Sequence, residues 1–103
     1  MIRTLFPSAV NGIVSAPPSK SLTQRAIAAA LLAHGTTIIT NPSFCQDSLA
    51  AIEMAGRLGA SVERGDDHLT ISGSSDTPDE VTLNCGESGL AMRMFSPIAA
   101  MLC

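Results

Sequence analysis

Two cations and a hydroxyl group stand at the start of an almost wholly apolar helix pattern. Lys20, Ser21 and Arg25 precede or open a run of alanine and leucine that reaches His34. The start of a helix carries the positive end of its dipole and unpaired backbone N–H groups, so cations there are unfavourable unless an anion joins them. Together these groups could bind a phosphate or a carboxylate. A capped helix with two solvated cations is the alternative interpretation.

A second segment, residues 84–89, is here called the glycine loop. Gly86 and Gly89 flank a serine between a strand candidate and a helix candidate, and Arg93 follows about one turn into that helix. Glycines at such a junction let backbone amides approach a ligand closely. The segment matches neither the Walker phosphate loop nor the dinucleotide fingerprint, which disfavours nucleotide binding. A tight turn before a core-facing helix is the alternative.

The helix that must position the first group of residues is predicted to begin at about Ser21. Ser21 and Gln24 have the spacing of a capping box, in which each side chain satisfies a backbone amide of the other residue. The helix continues through an apolar stretch without a polar face, and Gly35 marks its end. A helix without a polar face is expected to be buried.

The other predicted elements alternate between extended and helical patterns. Short strands are expected at 2–6, 12–16, 36–40, 61–64, 68–71 and 81–83. A second helix is expected over about 46–58, capped through Ser43 and Gln46, and its expected buried positions are Leu49, Ile52, Met54 and Ala55. Residues 73–80 read as a polar loop. Pro97 should kink the last helix or restart it with Ser96 as cap.

Composition limits the classes of protein to which the chain can belong. With 103 residues, 46% of them hydrophobic, it is one small domain or a piece of a larger protein. A net charge of −3 without a basic run disfavours nucleic acid as a partner. The longest apolar run, 26–33, is too short to cross a membrane. Three cysteines without metal spacing indicate a reduced, cytoplasmic setting. The uncapped apolar stretch 98–103 suggests a truncated protein.

Three blocks in order resemble one enzyme family. Residues 17–26 read Pro-Pro-Ser-Lys-Ser-Leu-Thr-Gln-Arg-Ala, residues 57–62 read Arg-Leu-Gly-Ala-Ser-Val after a helix that opens with Asp47, and residues 85–93 read Cys-Gly-Glu-Ser-Gly-Leu-Ala-Met-Arg. Together they resemble the N-terminal part of the 5-enolpyruvylshikimate-3-phosphate synthases. Three blocks in this order and spacing are far more specific than any single one.

The resemblance implies an α/β (α+β) fold built from βαβαββ units, with three units in each of two domains and the active site between them. By the same resemblance, residues 1–15 would be N-terminal strands that pair with the opposite domain. Residues 16–83 would be the first βαβαββ unit, and residues 84–103 the glycine loop and helix that open the second. The family's enzymes are several times longer than this chain.

The activity implied is transfer of the enolpyruvyl group from phosphoenolpyruvate to the 5-hydroxyl of shikimate 3-phosphate, with release of phosphate. Lys20, the catalytic candidate, would contact both substrates, and Ser21 and Arg25 would hold shikimate 3-phosphate. Gly89 would give its N–H to phosphoenolpyruvate, with Arg93 near that subsite. The resemblance implies no metal or organic cofactor, a monomer, and a need for the remainder of the enzyme. The isolated chain is therefore expected to be inactive.

Two positions depart from the family pattern, since Glu87 and Leu90 stand where asparagine and threonine are usual. A carboxylate beside a site for two anions would repel substrate unless it faces away or caps the helix. Two other functions remain open. One is that of a relative of the UDP-N-acetylglucosamine enolpyruvyl transferases, although that family has asparagine in place of Ser21. The other is a non-catalytic anion-binding fragment.

Overall fold

The computed structural model describes residues 1–73 and 76–103. Within them the chain forms three helices and three strands, which are α1 (Lys20–Leu32), β1 (Thr36–Thr40), α2 (Gln46–Arg57), β2 (Ser61–Arg64), β3 (His68–Ser72) and α3 (Gly89–Leu102). This mixture of helices with a small sheet is consistent with the expected α/β (α+β) class.

The described sheet is antiparallel, and β3 is its central strand. The order is β1-β3-β2, so that Ile71 of β3 lies opposite Thr37 on one side and Val62 on the other. The predicted hairpin of β2 and β3 forms around a turn at residues 65–67, where Gly-Asp-Asp provides turn chemistry. Leu69 and Ile71 alternate with more exposed neighbours and are fully buried. One face of the sheet therefore belongs to the core.

The core lies between that face of the sheet and the three helices. α1 contacts both other helices as well as β1 and β3. The largest fully buried apolar side chains from the helices and their ends are Ile27, Met54, Leu58 and Phe95. Burial of each such side chain contributes roughly 1.5–3 kcal/mol relative to exposure. Because Phe95 lies on α3, the last helix completes a core that begins with α1.

α1 begins one residue earlier than expected, and its cap is Ser19 rather than Ser21. The Ser19 hydroxyl accepts a hydrogen bond from the Leu22 amide at 3.2 Å, and Ser19 has the extended backbone that an N-cap requires. Ser21 is already helical, so it cannot cap. The expectation of full burial is also wrong, because Leu22 and Leu32 are 64% and 43% exposed. Only one side of α1 faces the core.

α2 occupies the expected residues, but the Ser43–Gln46 capping box does not form. Cys45 is the N-cap residue and makes no side-chain capping bond, while the Ser43 hydroxyl accepts from the Cys45 amide at 3.4 Å. Gly59 has a φ of 102°, which ends the helix as predicted. Met54 and Ala55 are buried as expected, and the other two positions predicted to be buried are half-buried.

Three of the predicted strands are absent from the described part of the chain. Residues 1–19 carry no helix or strand and are exposed throughout, so 2–6 and 12–16 have no neighbouring strand with which to share hydrogen bonds. Residues 81–83 are not a strand either, although Val81 and Leu83 pack against the core. In the predicted loop 73–80, residues 74 and 75 lie outside the described residues.

α3 continues through Pro97 and does not restart there. Ser96 does not cap a new helix, because its hydroxyl donates to the carbonyl of Met92 one turn earlier. Pro97 has no N–H to donate to the carbonyl of Arg93, so one bond of the helix is missing at this point. The burial of Ala91 and Phe95 in the preceding turns holds the helix against the core.

Candidate functional site

Lys20 is the first residue of α1, and the structure gives it a partner from α2. The Lys20 ammonium lies 3.1 Å from a carboxylate oxygen of Asp47, and the two side chains are 56% and 24% exposed. The hydrogen bond to Asp47, and then its negative charge, raise the pKa of Lys20 above the ordinary value of 10.5. The Asp47 carboxylate therefore offsets the unfavourable position of this cation at a helix start.

A buried threonine brings the starts of α1 and α2 together. The Thr23 hydroxyl donates to the Ser19 carbonyl at 2.7 Å and accepts from the Ser43 amide at 3.0 Å. Thr23 and Ser43 are only 5% and 7% exposed. The segment that leads into α2 is thus fixed to the first turn of α1. This fixed segment explains how Asp47 comes within reach of Lys20.

Ser21 and Arg25 lie one turn apart on α1, away from its buried side. Both are exposed, and neither side chain forms a hydrogen bond or ion pair with the described residues. Residues four apart share a helix face, so the hydroxyl and the guanidinium can address one ligand together. The structure therefore presents these two candidate residues to solvent, with Lys20 just before them.

The glycine loop enters α3 through a tight, hydrogen-bonded turn. Gly86 has a φ of 57°, and its amide donates to the side-chain oxygen of Asn84 at 2.8 Å. The Ser88 hydroxyl then caps α3 by accepting from the Ala91 amide at 3.0 Å. Gly89 is the first residue of the helix, and a Cβ added there would meet no atom within 4 Å. Its backbone is open to a ligand.

A buried hydrogen bond joins the glycine loop to α1. The Ser88 hydroxyl donates to the side-chain oxygen of Gln24 at 2.9 Å, and the two residues are 4% and 1% exposed. The structure therefore brings the two candidate groups to one region, with Gly89 beside the turn of α1 that carries Arg25. Arg93 lies one turn into α3, exposed and without a partner among the described residues.

A cleft of about 400 Å³ separates α2 from the glycine loop. Its lining includes three carboxylates, those of Asp47, Glu53 and Glu87. Asp47 and Glu53 are each paired with a cation, at 3.1 Å in both cases. Glu87 does not cap α3, because Ser88 does so. Glu87 therefore lies on the wall of this cleft that the glycine loop provides.

Comparison with known proteins identifies the family of the chain. The family model for EPSP synthase (3-phosphoshikimate 1-carboxyvinyltransferase) matches residues 6–103. The chain belongs to the EPSP synthase family. The match covers both candidate groups, the start of α1 and the glycine loop, as well as α2 between them.

Curated relatives of this EPSP synthase family member carry the same name as the family model. The chain is 41% identical over 98 residues to the 3-phosphoshikimate 1-carboxyvinyltransferase of Methanocorpusculum labreanum, and 42% identical over 99 residues to that of Chlamydia abortus. The enzyme of Clostridium beijerinckii is 33% identical over 105 residues. These alignments cover 92–94% of the chain but only 22–24% of the relatives. The chain therefore spans about a quarter of their length.

The sequence of this EPSP synthase family member did not predict two contacts in the site, those made by Gln24 and by Asp47. Gln24 was assigned to a capping box, but its spacing from Ile27, Ala28 and Leu31 places it on the buried side of α1. That spacing was the available signal. From the sequence, Asp47 is simply an acidic residue in the first turn of α2, where it suits the helix dipole. No sequence signal pairs Asp47 with Lys20, because the contact depends on how the two helices pack.

Cys45 is a further reactive group in this EPSP synthase family member. Its sulfur lies 3.4 Å from the Ser48 hydroxyl at the start of α2. Hydrogen bonds from Ser43, and then from Ser48, lower the pKa of the thiol from 9.0 to about 7.

The described residues contain no cluster of three metal-ligating side chains. None of the helices described is long and apolar enough to span a membrane.

Proposed function

We propose that this chain carries part of the substrate site of an enolpyruvyl transferase. The enzyme would move the enolpyruvyl group of phosphoenolpyruvate to the 5-hydroxyl of shikimate 3-phosphate and release phosphate. Besides family membership, one observation carries the proposal. The buried bond between Gln24 and Ser88 places the glycine loop beside the cationic start of α1. Donors suited to two separate anions therefore lie in one region.

The proposed roles follow from the exposure and charge of each group. Ser21 and Arg25 would bind the phosphate of shikimate 3-phosphate, because both are exposed and unoccupied by other described residues. Lys20 would contact both substrates, and its ammonium group is held by Asp47 at the start of α1. Gly89 would donate its N–H to phosphoenolpyruvate, and the Arg93 guanidinium would lie near the same subsite. Glu87 lines the same cleft as Asp47, the partner of Lys20, so its carboxylate would have to turn away from a bound anion.

The transfer needs more than these binding groups. The 5-hydroxyl loses its proton as its oxygen bonds to the enol carbon, and a proton is delivered to the methylene carbon. The bond from the enol carbon to the phosphate oxygen then breaks while the new methyl group loses a proton, so that phosphate leaves and the double bond forms again. These steps require positioned acids and bases and the exclusion of water. We assign those groups to the remainder of a longer enzyme. The 103-residue chain alone should therefore release no phosphate from the two substrates.

A calorimetric titration of the chain with shikimate 3-phosphate tests this function. The Lys20→Ala variant should bind roughly 10- to 150-fold more weakly, because a lost charge-assisted hydrogen bond costs about 1.5–3 kcal/mol. Arg3→Ala is the matched control, since it removes an exposed cation from the extended N-terminal residues. Equal affinity of the Lys20→Ala variant and the unchanged chain, or absence of saturable binding, would contradict the proposal. Equal affinity for inorganic phosphate would favour a non-catalytic anion-binding fragment.

A further inference from the structure

The hydrogen bond between Gln24 and Ser88 is the only side-chain hydrogen bond between α1 and the α3 start in the part of the chain that the structure describes. The two residues are 64 positions apart, and the bond is buried. Ser88 uses the same hydroxyl twice, because it donates to Gln24 and accepts from the Ala91 amide. One oxygen atom therefore both caps α3 and ties it to α1.

The bond stands between the two halves of the proposed substrate site. Gln24 immediately precedes Arg25 in α1, and Ser88 immediately precedes Gly89 in the glycine loop. Ala91 and Phe95 hold α3 to the core by apolar packing, which has no preferred direction. A hydrogen bond is directional, and a buried polar group that loses its partner is costly. Of the two contacts, the hydrogen bond is the one that can set the position of the glycine loop.

We infer that Gln24 is a positioning residue whose side-chain oxygen, through Ser88, fixes the glycine loop against α1. It thereby sets the spacing between the Arg25 face of α1 and the backbone amide of Gly89. The effect of this positioning on ligand binding rests on the proposed function. The position of the loop, however, can be measured without any ligand.

Two substitutions at Gln24 separate positioning from general stability. Gln24→Met keeps the length of the side chain and removes the acceptor, whereas Gln24→Glu retains an oxygen that can accept from Ser88. Thr23→Val is the matched control, because it breaks the neighbouring buried contact of α1 with Ser43 and leaves the glycine loop untouched. Amide hydrogen exchange by NMR then reports on the Ser88 and Ala91 amides, with those of β3 as an internal reference for the fold.

Gln24→Met should speed exchange of the Ser88 and Ala91 amides at least tenfold relative to β3. At a pH low enough to keep the buried carboxyl neutral, Gln24→Glu should restore their protection, and Thr23→Val should leave their ratio to β3 unchanged. Unchanged loop protection in Gln24→Met overturns the inference. If Gln24→Met loosens the whole chain, Gln24→Glu decides, because a loose loop in that variant also overturns the inference.

Titration with shikimate 3-phosphate and with phosphoenolpyruvate completes the test. If the unchanged chain binds, Gln24→Met should weaken phosphoenolpyruvate binding about tenfold. A displaced loop with unchanged affinity overturns the positioning role. If the unchanged chain binds neither ligand, the proposed function fails, while loop exchange still decides whether Gln24 fixes the loop. The two failures are therefore distinguishable.

Discussion

Gly73 follows β3 at a point where two backbone segments meet, and replacing it with alanine should destabilise the fold. The Gly73 amide donates to the Gly35 carbonyl at 3.2 Å. A Cβ on Gly73 would lie 2.0 Å from the carbonyl oxygen of Ala33 and 3.2 Å from that of Leu31. Both oxygens belong to the backbone at the end of α1, so neither can rotate away as a side chain would. The strand end and the helix end must separate.

The size of this effect follows from the cost of overpacking, which is about 1–3 kcal/mol. Gly73 does not have a left-handed backbone, so alanine brings no conformational strain and the substitution tests space alone. For a domain of about this size each kcal/mol lowers the Tm by roughly 4–8 °C. Thermal unfolding followed by circular dichroism should therefore show a decrease of several degrees or more for Gly73→Ala.

Gly56→Ala is the matched control for this substitution. Gly56 lies within α2, and a Cβ there would meet nothing within 4 Å. Alanine should raise stability by about 0.5–1 kcal/mol, because it favours the helix over the unfolded chain. An increase in Tm for both variants would refute the argument from close approach. A decrease for both would show that the assay responds to something other than space at Gly73.

Two further predictions concern ionisable groups at the helix starts. With the other two cysteines replaced by serine, alkylation of Cys45 by iodoacetamide should show a midpoint near pH 7 in the folded chain and near 9 in urea. Because the folded pKa is the lower one, this thiol should add stability as pH rises from 7 to 9, and a folded midpoint at 9 would contradict the assignment. Asp47→Asn should lower the pKa of Lys20 towards 10.5, as followed by NMR of the lysine side chain. An unchanged lysine pKa would show that Asp47 does not hold it.

Local chemistry made part of the fold predictable from sequence. Gly59 has a positive φ and follows the end of α2, and the β-branched run of β1 forms the expected strand. Gly35 also has a positive φ, but α1 ends before it at Leu32, because Ala33 is already extended. The capping assignment for α1 failed because two serines stand close together at its start. Which of them caps depends on where the backbone leaves the extended conformation. Ser19 is still extended after two prolines, whereas Ser21 is not.

Other predictions failed because they depended on partners distant in the sequence. A strand needs a neighbour, and residues 2–6 and 12–16 find none in the described chain. The cationic start of α1 was predictable, because the residue types and their spacing are visible in the sequence. Its supports were not predictable, because Gln24 meets Ser88 only after α1 and α3 have packed together. The proposed roles of Lys20 and Arg25 remain predictions.

The strand order also has a consequence for the chain as it is made. Within the described residues β1 pairs only with β3, so Thr36–Thr40 must wait until His68–Ser72 has emerged from the ribosome. At about 5–20 residues per second this interval is on the order of seconds. Throughout it, the two isoleucines of β1 have no strand partner. All five residues of β1 are β-branched and uncharged, which favours pairing of this waiting strand with another nascent chain.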